Sequence, residues 1–365
     1  MKIAHIISHN DHNGVTSSGS ALVREMHARG HEVTLIHRPN AWIGKQSFPE
    51  GVRLVPMDMG KRILNYGECR RVRALLDDWG VDVIHTHGTG ADRIGALWYW
   101  RWDRPVVAKA AARIPHFHWH FHDAIFAPSP YTKDWYVNRV RVPERRVHVV
   151  TNFVHDHTIP KPSAEGRAKA RVAMGLPDTA FVLGVVGSVQ GRKNQSAGVP
   201  ILHALRGKGV DAHMVLAGRF GGEEPDKIRA RARELGVEDA VHLLGHREDV
   251  MDLLAGFDVA FTTTKDEQGS IVVIESMGAH LPVVSTPVGM VPVLIEDGVN
   301  GHRIDLAAPG ATVAYLERLA TDPAFAAQQS ANARKDFEER FLPDPILTRI
   351  EGLYTQLIEA RGRKA

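Results

Sequence analysis

Short runs of aliphatic and β-branched residues alternate with helical patterns along the whole chain of 365 residues. Such alternation is typical of βαβ units, in which a helix returns the chain so that successive strands run parallel. We therefore expect an α/β protein built on parallel sheets. The predicted strands cover residues 3–7, 32–37, 53–57, 81–86, 105–109, 124–128 and 147–151 in the first half, and 181–186, 212–217, 240–244, 259–263, 282–285 and 301–304 in the second. The predicted helices cover residues 20–29, 68–79, 165–174, 195–208, 226–235, 250–254, 271–279, 311–320 and 344–361.

The segment 155–163 carries two prolines among polar residues, a composition typical of a linker. The halves on either side of it each open with an apolar strand and a polar loop that contains glycine. We predict two doubly wound domains, at 1–160 and 161–343, and a C-terminal helix in 344–365 that crosses back to the first domain. Because doubly wound sheets bind ligands at the carboxyl ends of their strands, we expect the two domains to face each other across a ligand-binding cleft.

The composition is that of a globular protein and argues against several functional classes. With 44% hydrophobic and 24% charged residues, the chain can bury two ordinary cores. A net charge of +3 is too small to predict a nucleic-acid partner. The single cysteine, Cys69, fits a reducing compartment, and we expect neither a signal peptide nor a membrane span. A cytoplasmic protein is expected, with peripheral contact at the inner face of the membrane left open.

The polar segment after the eleventh predicted strand suits a phosphorylated, hydroxyl-rich ligand. Gly269 permits the backbone to approach a ligand closely. Ser270 is a favourable N-cap, and the first N–H groups and positive dipole end of the following helix attract an anion. Glu267 precedes this helix and Glu275 lies inside it. Since the helix start is apolar on nearly every face, the Glu275 carboxylate is expected to be buried and to need a partner, which favours a binding role over a solvated pair.

A turn bounded by Gly187 and Gly191 precedes Arg192 and Lys193 and a predicted helix. A lysine ammonium in this position can neutralise a diphosphate. Taken alone, an exposed basic turn is the simpler interpretation. Beside the segment that contains the two glutamates, we favour a binding role for Lys193.

The loop at 8–20 is rich in Asn, His, Ser, Thr and Gly and precedes a helix. We expect Ser18 or Ser20 to cap that helix, with its free N–H groups directed into the cleft. Gly14, within the loop, is equally consistent with a simple turn and with a ligand-binding role.

Two segments rich in aromatic residues, 116–122 and 98–104, are consistent both with a binding role and with a purely structural one. Histidine alternates with aromatic residues over 116–122, and on a strand these four imidazoles would share one face. Zinc is one interpretation, but no cysteine nearby completes a site, so we favour an edge element or an acceptor-facing surface. The segment 98–104 mixes aromatic residues with arginines, which suits a membrane interface. The simpler alternative is a helix end packed beneath the next strand.

In order and spacing, these motifs resemble those of the retaining glycosyltransferases of family 4. Glu267 and Glu275 are separated by seven residues, and with the Ser-Met-Gly that follows they are similar to the family's E-x-F-G…E-A-M-A element. The resemblance covers nearly the whole chain and implies the GT-B fold, with two Rossmann-like doubly wound domains that face each other across a cleft. Further stretches similar to the family lie at 29–33, 81–87, 186–195 (V-G-R-L…K-N), 244–250 (L-G…D-V), 286–289 and 296–301.

The resemblance also assigns roles to individual positions. Glu275 is expected to bind the ribose hydroxyls, Glu267 the donor sugar and Lys193 the diphosphate. The implied catalytic residues are Glu267, Lys193 and Arg192; the implied donor-binding residues are Glu275, Gly269, Ser270, Ile271, Gly187, Ser188, His246, Arg247 and Gly14; the implied acceptor-side residues are His12, Asn13, Lys109, Arg113 and His118.

Three positions depart from the family pattern. Ser188 stands where the family usually has arginine, and Arg192 is expected to supply the missing cation. The histidine that often follows the fifth strand corresponds to Ala111, and a neighbouring basic residue is expected to act in its place. The family's E-G-F-G loop has lost its aromatic residue at 267–270, which predicts unusual donor-sugar specificity.

The activity implied by the resemblance is transfer of a sugar from a UDP- or GDP-sugar to an acceptor hydroxyl, with retention at the anomeric carbon. No metal or other cofactor is expected. The acceptor is expected to contain sugar, in cell-envelope polysaccharide, lipopolysaccharide or glycolipid synthesis, and a lipid-linked acceptor is open. The alternatives are a small soluble acceptor, a nucleotide-sugar epimerase on the same plan, and a non-catalytic nucleotide-sugar-binding protein.

Overall fold

The computed structural model describes residues 1–60, 64–110 and 113–362. The chain forms two compact units. Unit 1 consists of Met1–Asn152 together with Pro343–Ala365, and unit 2 consists of Phe153–Leu342.

A seven-stranded parallel sheet lies at the centre of unit 1, in the order β3-β2-β1-β4-β5-β6-β7. Five of its seven strands are buried at every residue or at all but one, as in sheets that are covered on both faces. The strands are β1 Lys2–Ile7, β2 Glu32–His37, β3 Arg53–Pro56, β4 Val83–His87, β5 Val106–Lys109, β6 Ala124–Ala127 and β7 Val147–Val149. The helices between them are α1 Gly14–Ala28, α2 Tyr66–Asp78, α3 Thr89–Tyr99 and α4 Pro130–Asn138.

Unit 2 has a six-stranded parallel sheet in the order β10-β9-β8-β11-β12-β13. Its strands are β8 Phe181–Val186, β9 Ala212–Ala217, β10 Val241–Gly245, β11 Val259–Thr262, β12 Val283–Ser285 and β13 Gly301–Arg303. Its helices are α5 Ala164–Met174, α6 Val199–Arg206, α7 Glu224–Leu235, α8 Val250–Leu254, α9 Ile271–Gly278, α10 Val291–Leu294, α11 Gly310–Thr321 and α12 Pro323–Arg340.

The last helix, α13 (Pro343–Gly362), belongs to unit 1. Glu351 on this helix accepts two hydrogen bonds of 2.9 Å from the guanidinium of Arg29 and lies 2.7 Å from Nε2 of His31. These contacts fasten the C-terminal helix to the turn between α1 and β2.

The α/β architecture with two parallel sheets is confirmed. Within the described residues, each predicted strand overlaps an observed strand, because buried parallel strands read as short continuous hydrophobic runs. Four helices, α3, α4, α10 and α12, lie outside the predicted set. The helix predicted at 195–208 is shorter, since residues 195–198 form a 3₁₀ turn before α6.

The predicted start and cap of α1 were wrong. Asn13, rather than Ser18 or Ser20, is the N-cap: its side-chain oxygen accepts from the amides of Val15 at 2.9 Å and Thr16 at 3.2 Å. The Asn13 amide donates in turn to the Thr16 hydroxyl at 2.9 Å, which completes a capping box. The helix therefore begins at Gly14, and both serines lie inside it.

The histidine-rich segment 116–122 is not a strand. Residues Phe117–Phe121 form a 3₁₀ turn, so the histidines do not line one face of a strand. The segment 98–104, which mixes aromatic residues with arginines, is only partly buried. Trp98 and Trp102 are buried, whereas Trp100 is 73% exposed. Among the described helices, none combines the length and the apolar content needed to cross a bilayer.

A buried ion pair holds the start of β11 in unit 2. Arg171, which is 1% exposed, donates to the Asp258 carboxylate at 2.7 Å and to the carbonyl of Ala180 at 2.7 Å. The same carboxylate accepts from the Val182 amide at 2.7 Å and from Arg167 at 3.0 Å. One aspartate thus joins α5, β8 and β11.

We expect Asp258→Asn to destabilise the protein by about 3 kcal/mol, because it removes one charge of a buried pair and leaves Arg171 uncompensated. The matched control is Asp178→Asn, whose carboxylate pairs with Arg167 but is 70% exposed; it should cost less than about 1 kcal/mol. Chemical denaturation, followed by circular dichroism, measures both. Equal losses in the two variants would contradict this account of the Arg171 pair.

Candidate functional site

The parallel pairing of β8, β11 and β12 brings three loops to one edge of the unit 2 sheet. Leu183 and Gly184 of β8 align with Val259 and Ala260 of β11. On its other side, β11 aligns with β12. Since all three strands run in one direction, the loops that follow them meet at the carboxyl edge, where sheets of this kind bind ligands.

Backbone and side-chain hydrogen bonds fasten the first two loops together. The Thr263 hydroxyl donates to the carbonyl of Asn194 at 2.7 Å, and the Asn194 amide group donates back to the carbonyl of Thr263 at 3.3 Å. The Lys265 amide donates to the carbonyl of Arg192 at 3.0 Å. Asn194 adopts the left-handed conformation with φ 54°, which asparagine tolerates better than most residues. The relative position of the two loops is therefore set by the backbone.

Lys193 and Glu267 form an ion pair across these loops. The Lys193 Nζ atom lies 2.5 Å from Oε2 of Glu267, and the two side chains are 19% and 23% exposed. Burial raises the pKa of the Glu267 carboxyl, but the Lys193 charge and hydrogen bond and the Gln268 amide outweigh it, so the pKa is lowered below its ordinary value. Glu267 is therefore ionised at neutral pH, and the ammonium of Lys193 is held beside it.

Arg192 does not face the same way as Lys193. Its side chain is exposed, and its Nη1 donates to the carbonyl of Asp266 at 2.5 Å. Arg192 therefore supports the loop that carries Glu267.

Gly289, in the loop after β12, received no role from the sequence. Its φ is +59°, and a Cβ atom there would lie 2.3 Å from the carbonyl oxygen of Glu267. Both the left-handed backbone and the close approach require glycine. The position lies in the stretch 286–289 that resembles the family, which was the available signal.

The segment before α9 has a strained conformation. Ser270 has φ 40° and ψ 49°, in the left-handed region that L-residues rarely adopt. Its position at the N-cap is as expected, but its side chain does not cap the helix. The Ser270 hydroxyl is buried, and it has no hydrogen-bond partner among the described residues. The first amides of α9, from Ile271 and Val272, likewise find no backbone acceptor in the described part of the chain.

Glu275 lies one turn further along α9, between the buried residues Ile274 and Ser276. Burial alone raises the pKa of its carboxyl to about 7. Among residues 1–60, 64–110 and 113–362, no side chain forms an ion pair or hydrogen bond with this carboxylate. The partner expected for Glu275 is therefore not found among the described residues.

Further predicted residues follow β8 and β10 at the same edge of the sheet. Gly187 has φ +128°, and a Cβ atom there would meet nothing within 4 Å. Gln195 donates to the carbonyl of Ser188 at 2.9 Å, which orients the turn. His246 is exposed, and Arg247 binds the Asp249 carboxylate through two hydrogen bonds of 2.7 and 2.5 Å.

Three of the residues predicted on the acceptor side meet the start of α1 in unit 1. His12 lies 2.8 Å from the Ser17 hydroxyl and stacks on Trp42, and Asn13 caps the helix just before the exposed Gly14. Lys109, at the end of β5, donates to the hydroxyl of Ser18 at 3.1 Å and to the Asn152 side chain at 2.9 Å. Burial lowers the pKa of Lys109 to about 8. Asn152 had not been assigned a role from the sequence, and Ser18 had been expected only to cap the helix.

Arg113 and His118 have other neighbours. Arg113 donates to the hydroxyl of Tyr131 at 2.5 Å and lies over its ring, and His118 stacks on His116. Burial, together with the charges of His116 and Arg93, lowers the pKa of His118 to about 4. Ala111, the position that corresponds to the family histidine, lies outside the described residues.

The unit 2 loops together offer three kinds of group to a ligand. Lys193 supplies a positive charge, α9 supplies free N–H groups at its positive end, and Glu267 and Glu275 supply carboxylate oxygens that accept from hydroxyls. A molecule that joins phosphates to hydroxyl-bearing rings matches all three.

Family models match both units of the chain. The model described as Glycosyl transferases group 1 matches residues 166–336, and the model described as Glycosyltransferase Family 4 matches residues 12–157. The two matches lie in different parts of the chain, one in each unit.

Relatives of known activity share part of the chain. A D-inositol 3-phosphate glycosyltransferase of Mycolicibacterium gilvum is 29% identical over 190 residues, which is 50% of this chain and 42% of that protein. An N-acetyl-alpha-D-glucosaminyl L-malate synthase of Bacillus anthracis is 27% identical over 41% of this chain and 39% of its own length. The chain thus spans less than half the length of these two relatives.

Solved structures resemble the chain over nearly its full length. HepE of Anabaena in complex with UDP has a TM-score of 0.83 at 18% identity, with 98% of this chain and 100% of that chain covered. A glycosyltransferase of Rickettsia africae has a TM-score of 0.84 at 13% identity, with 98% and 99% covered. With its two parallel sheets and both matching family models, the chain belongs to the family 4 glycosyltransferases of GT-B fold.

Proposed function

We propose that this glycosyltransferase moves a sugar from a UDP- or GDP-sugar to an acceptor hydroxyl, with retention at the anomeric carbon. The observation that carries the proposal is the combination, at one edge of the unit 2 sheet, of the Lys193–Glu267 ion pair and of Glu275, which has no partner among the described residues. The solved structures of HepE with UDP and with UDP-glucose support a uridine donor.

Each ligand-facing group has a separate task in this proposal. Glu275 accepts hydrogen bonds from the two ribose hydroxyls, which supply the partner that is missing among the described residues. Lys193 and the first amides of α9 bind the diphosphate and stabilise the negative charge that grows on it as the sugar departs. Glu267 orients Lys193 and accepts from a hydroxyl of the donor sugar.

The proposed retaining reaction needs no covalent carboxylate. The bond between the anomeric carbon and the diphosphate oxygen breaks while the acceptor oxygen forms a bond on the same face, and the departing phosphate takes the acceptor proton. Glu267 is ill suited as a nucleophile, because Lys193 and the Gln268 amide already occupy its oxygens. The Lys193 ammonium supplies charge that a metal ion would otherwise provide, so we propose metal-independent transfer.

On the acceptor side we propose the start of α1 and the end of β5, with Gly14, His12, Asn13 and Lys109. The partly buried ammonium of Lys109 is fixed by Ser18 and Asn152, and such a group can orient an acceptor hydroxyl or phosphate. We include Arg113 and His118 in this proposal only because they lie in the segment that follows β5.

A membrane-bound acceptor is supported by an exposed aromatic patch on unit 1, formed by Trp100, Phe117 and Phe121. Trp100 and Phe117 are 73% and 75% exposed, and each contacts Phe121, at centroid distances of 5.7 and 5.1 Å. The exposed Arg101 lies beside Trp100 in sequence. Aromatic rings with neighbouring cations suit the interface of an anionic bilayer. We therefore propose peripheral contact with the cytoplasmic membrane surface and a lipid-linked acceptor of the cell envelope.

Glu275→Gln tests the ribose assignment. Hydroxyls that donate to Glu275 favour its ionised form, so UDP affinity should rise from about pH 6 to about pH 8 and level off above its pKa of about 7. The variant should bind UDP roughly 10- to 100-fold more weakly at pH 8, and its affinity should lose that pH dependence. Isothermal titration calorimetry measures both. The control is Glu234→Gln, an exposed carboxylate on α7; if Glu275→Gln binds as this control does, the assignment is wrong.

Lys193→Met tests the diphosphate assignment. Loss of the ammonium removes stabilisation of the leaving group, so kcat for transfer should fall about 10²- to 10³-fold. Lys208→Met is the control, since that lysine is 56% exposed and pairs at 3.8 Å with Glu317. Radiolabelled donor is followed with and without sugar acceptors, and the anomeric configuration of the product is read by NMR. Conversion of the donor without any acceptor would favour an epimerase, and a product of inverted configuration would exclude retention.

Trp100→Ser together with Phe117→Ser tests the membrane contact. The double variant should bind vesicles of mixed neutral and anionic lipid several-fold more weakly in a sedimentation assay, because it removes the exposed apolar area. Phe220→Ser is the control, an exposed aromatic residue in unit 2 with an arginine over its ring. Vesicle binding that is unchanged in the double variant would favour a small soluble acceptor.

A further inference from the structure

Three histidines lie together in the core of unit 1 and have no part in the proposed sugar transfer. His5 lies on β1, and His85 and His87 lie on the neighbouring strand β4. His5 aligns with His85 in the parallel register, and His87 is two residues further along, so all three project from one face of the sheet. None is more than 1% exposed.

The ring nitrogens are close enough to share one ion. Taking one nitrogen from each ring, the three lie within 4.8 Å of one another. His5 Nδ1 and His87 Nε2 are 3.1 Å apart. Two Zn–N bonds of 2.0–2.1 Å at a tetrahedral angle would hold their nitrogens about 3.3 Å apart. The separation of these two nitrogens is therefore close to that of two ligands of one zinc ion.

The third ring is already oriented by a neighbour. His85 Nδ1 lies 2.6 Å from the hydroxyl of Tyr354 on α13, so its Nε2 is left to face another partner. That Nε2 is buried, and among the described residues it has no hydrogen bond. A partner on the second nitrogen is the usual support for a metal-ligating histidine, because it fixes both the tautomer and the ring plane.

We propose that His5, His85 and His87 bind one Zn²⁺ ion as a structural site within unit 1. Imidazole nitrogens suit zinc, and three such ligands leave one position for water or an anion. On binding, the hydrogen shared by His5 Nδ1 and His87 Nε2 moves to the other nitrogen of its ring. No bond to carbon changes, and the imidazoles remain neutral. The ion would fasten β1, β4 and, through Tyr354, helix α13.

A buried network of neutral histidines is the rival account, and the charge of Lys109 distinguishes the two. The Lys109 ammonium lies near enough to act electrostatically on all three imidazoles, so it opposes a cation among them. Replacing it with methionine should therefore strengthen Zn²⁺ binding. In a network without metal, the same substitution would create no zinc affinity.

The test uses the full chain, stripped with a chelator and titrated with Zn²⁺ against a chromophoric competitor. We expect one equivalent to bind, Co²⁺ to give the absorption of a tetrahedral site, and Lys109→Met to tighten zinc binding several-fold. His5→Gln removes a proposed zinc ligand, so it should weaken zinc binding by more than about 100-fold. Loss of a group that only hydrogen-bonds to a ligand weakens metal binding by about 10- to 100-fold. Circular dichroism first establishes that each variant is folded.

His242→Gln is the matched control, because His242 and His213 of unit 2 form a pair with nitrogens 3.0 Å apart and, within the described part of the chain, no third imidazole completes a group with them. It should leave zinc stoichiometry and affinity unchanged. The proposal is overturned if the wild-type chain takes up no equivalent of Zn²⁺, or if His242→Gln removes it. If His5→Gln does not fold, Lys109→Met, which retains all three rings, still decides the question: affinity equal to or weaker than that of the wild type counts against the site.

Discussion

The alignment of β8, β11 and β12 is the constraint on which the unit 2 site depends. These parallel strands end at one edge of the sheet, and the loops that follow them are joined by the hydrogen bonds between Asn194 and Thr263. The backbone of Gly289 closes on the carbonyl of Glu267 from the third loop. Lys193 and Glu267 can form a 2.5 Å ion pair because the backbone has already placed them side by side.

Two glutamates of one segment have opposite electrostatic environments. Glu267 is held ionised by a lysine and an amide, so its pKa is lowered. Burial of the Glu275 carboxyl disfavours its charged form, and this effect alone raises its pKa to about 7. Pairs of carboxyl groups whose surroundings separate their pKa values usually divide their tasks. Here one carboxylate positions a cation, and the other has no hydrogen-bond partner among the described residues.

The strand pattern could be predicted because it depends on local hydrophobicity. Buried parallel strands are short apolar runs, and each was found from its own residues. Helix α1 was predicted too short because serines seemed better caps than Asn13, whose capping box with Thr16 lies earlier in the loop. The conformation of Phe117–Phe121 could not be decided from the sequence, because alternating histidine and aromatic residues suit both a strand and the observed 3₁₀ turn that buries Trp119.

The sequence by itself determined the order of the strands, the family resemblance, and the position of Glu267 and Glu275 around a helix start. Those features depend on periodicity and on spacing over fewer than about 15 residues. Only the tertiary structure decided that Lys193 pairs with Glu267, that Ser270 leaves its buried hydroxyl unbonded, and that Glu275 has no partner among the described residues. It alone brought His5 to His85 and His87. These contacts join segments far apart in the chain, and the register of the parallel sheets, which no local pattern specifies, determines which of them form.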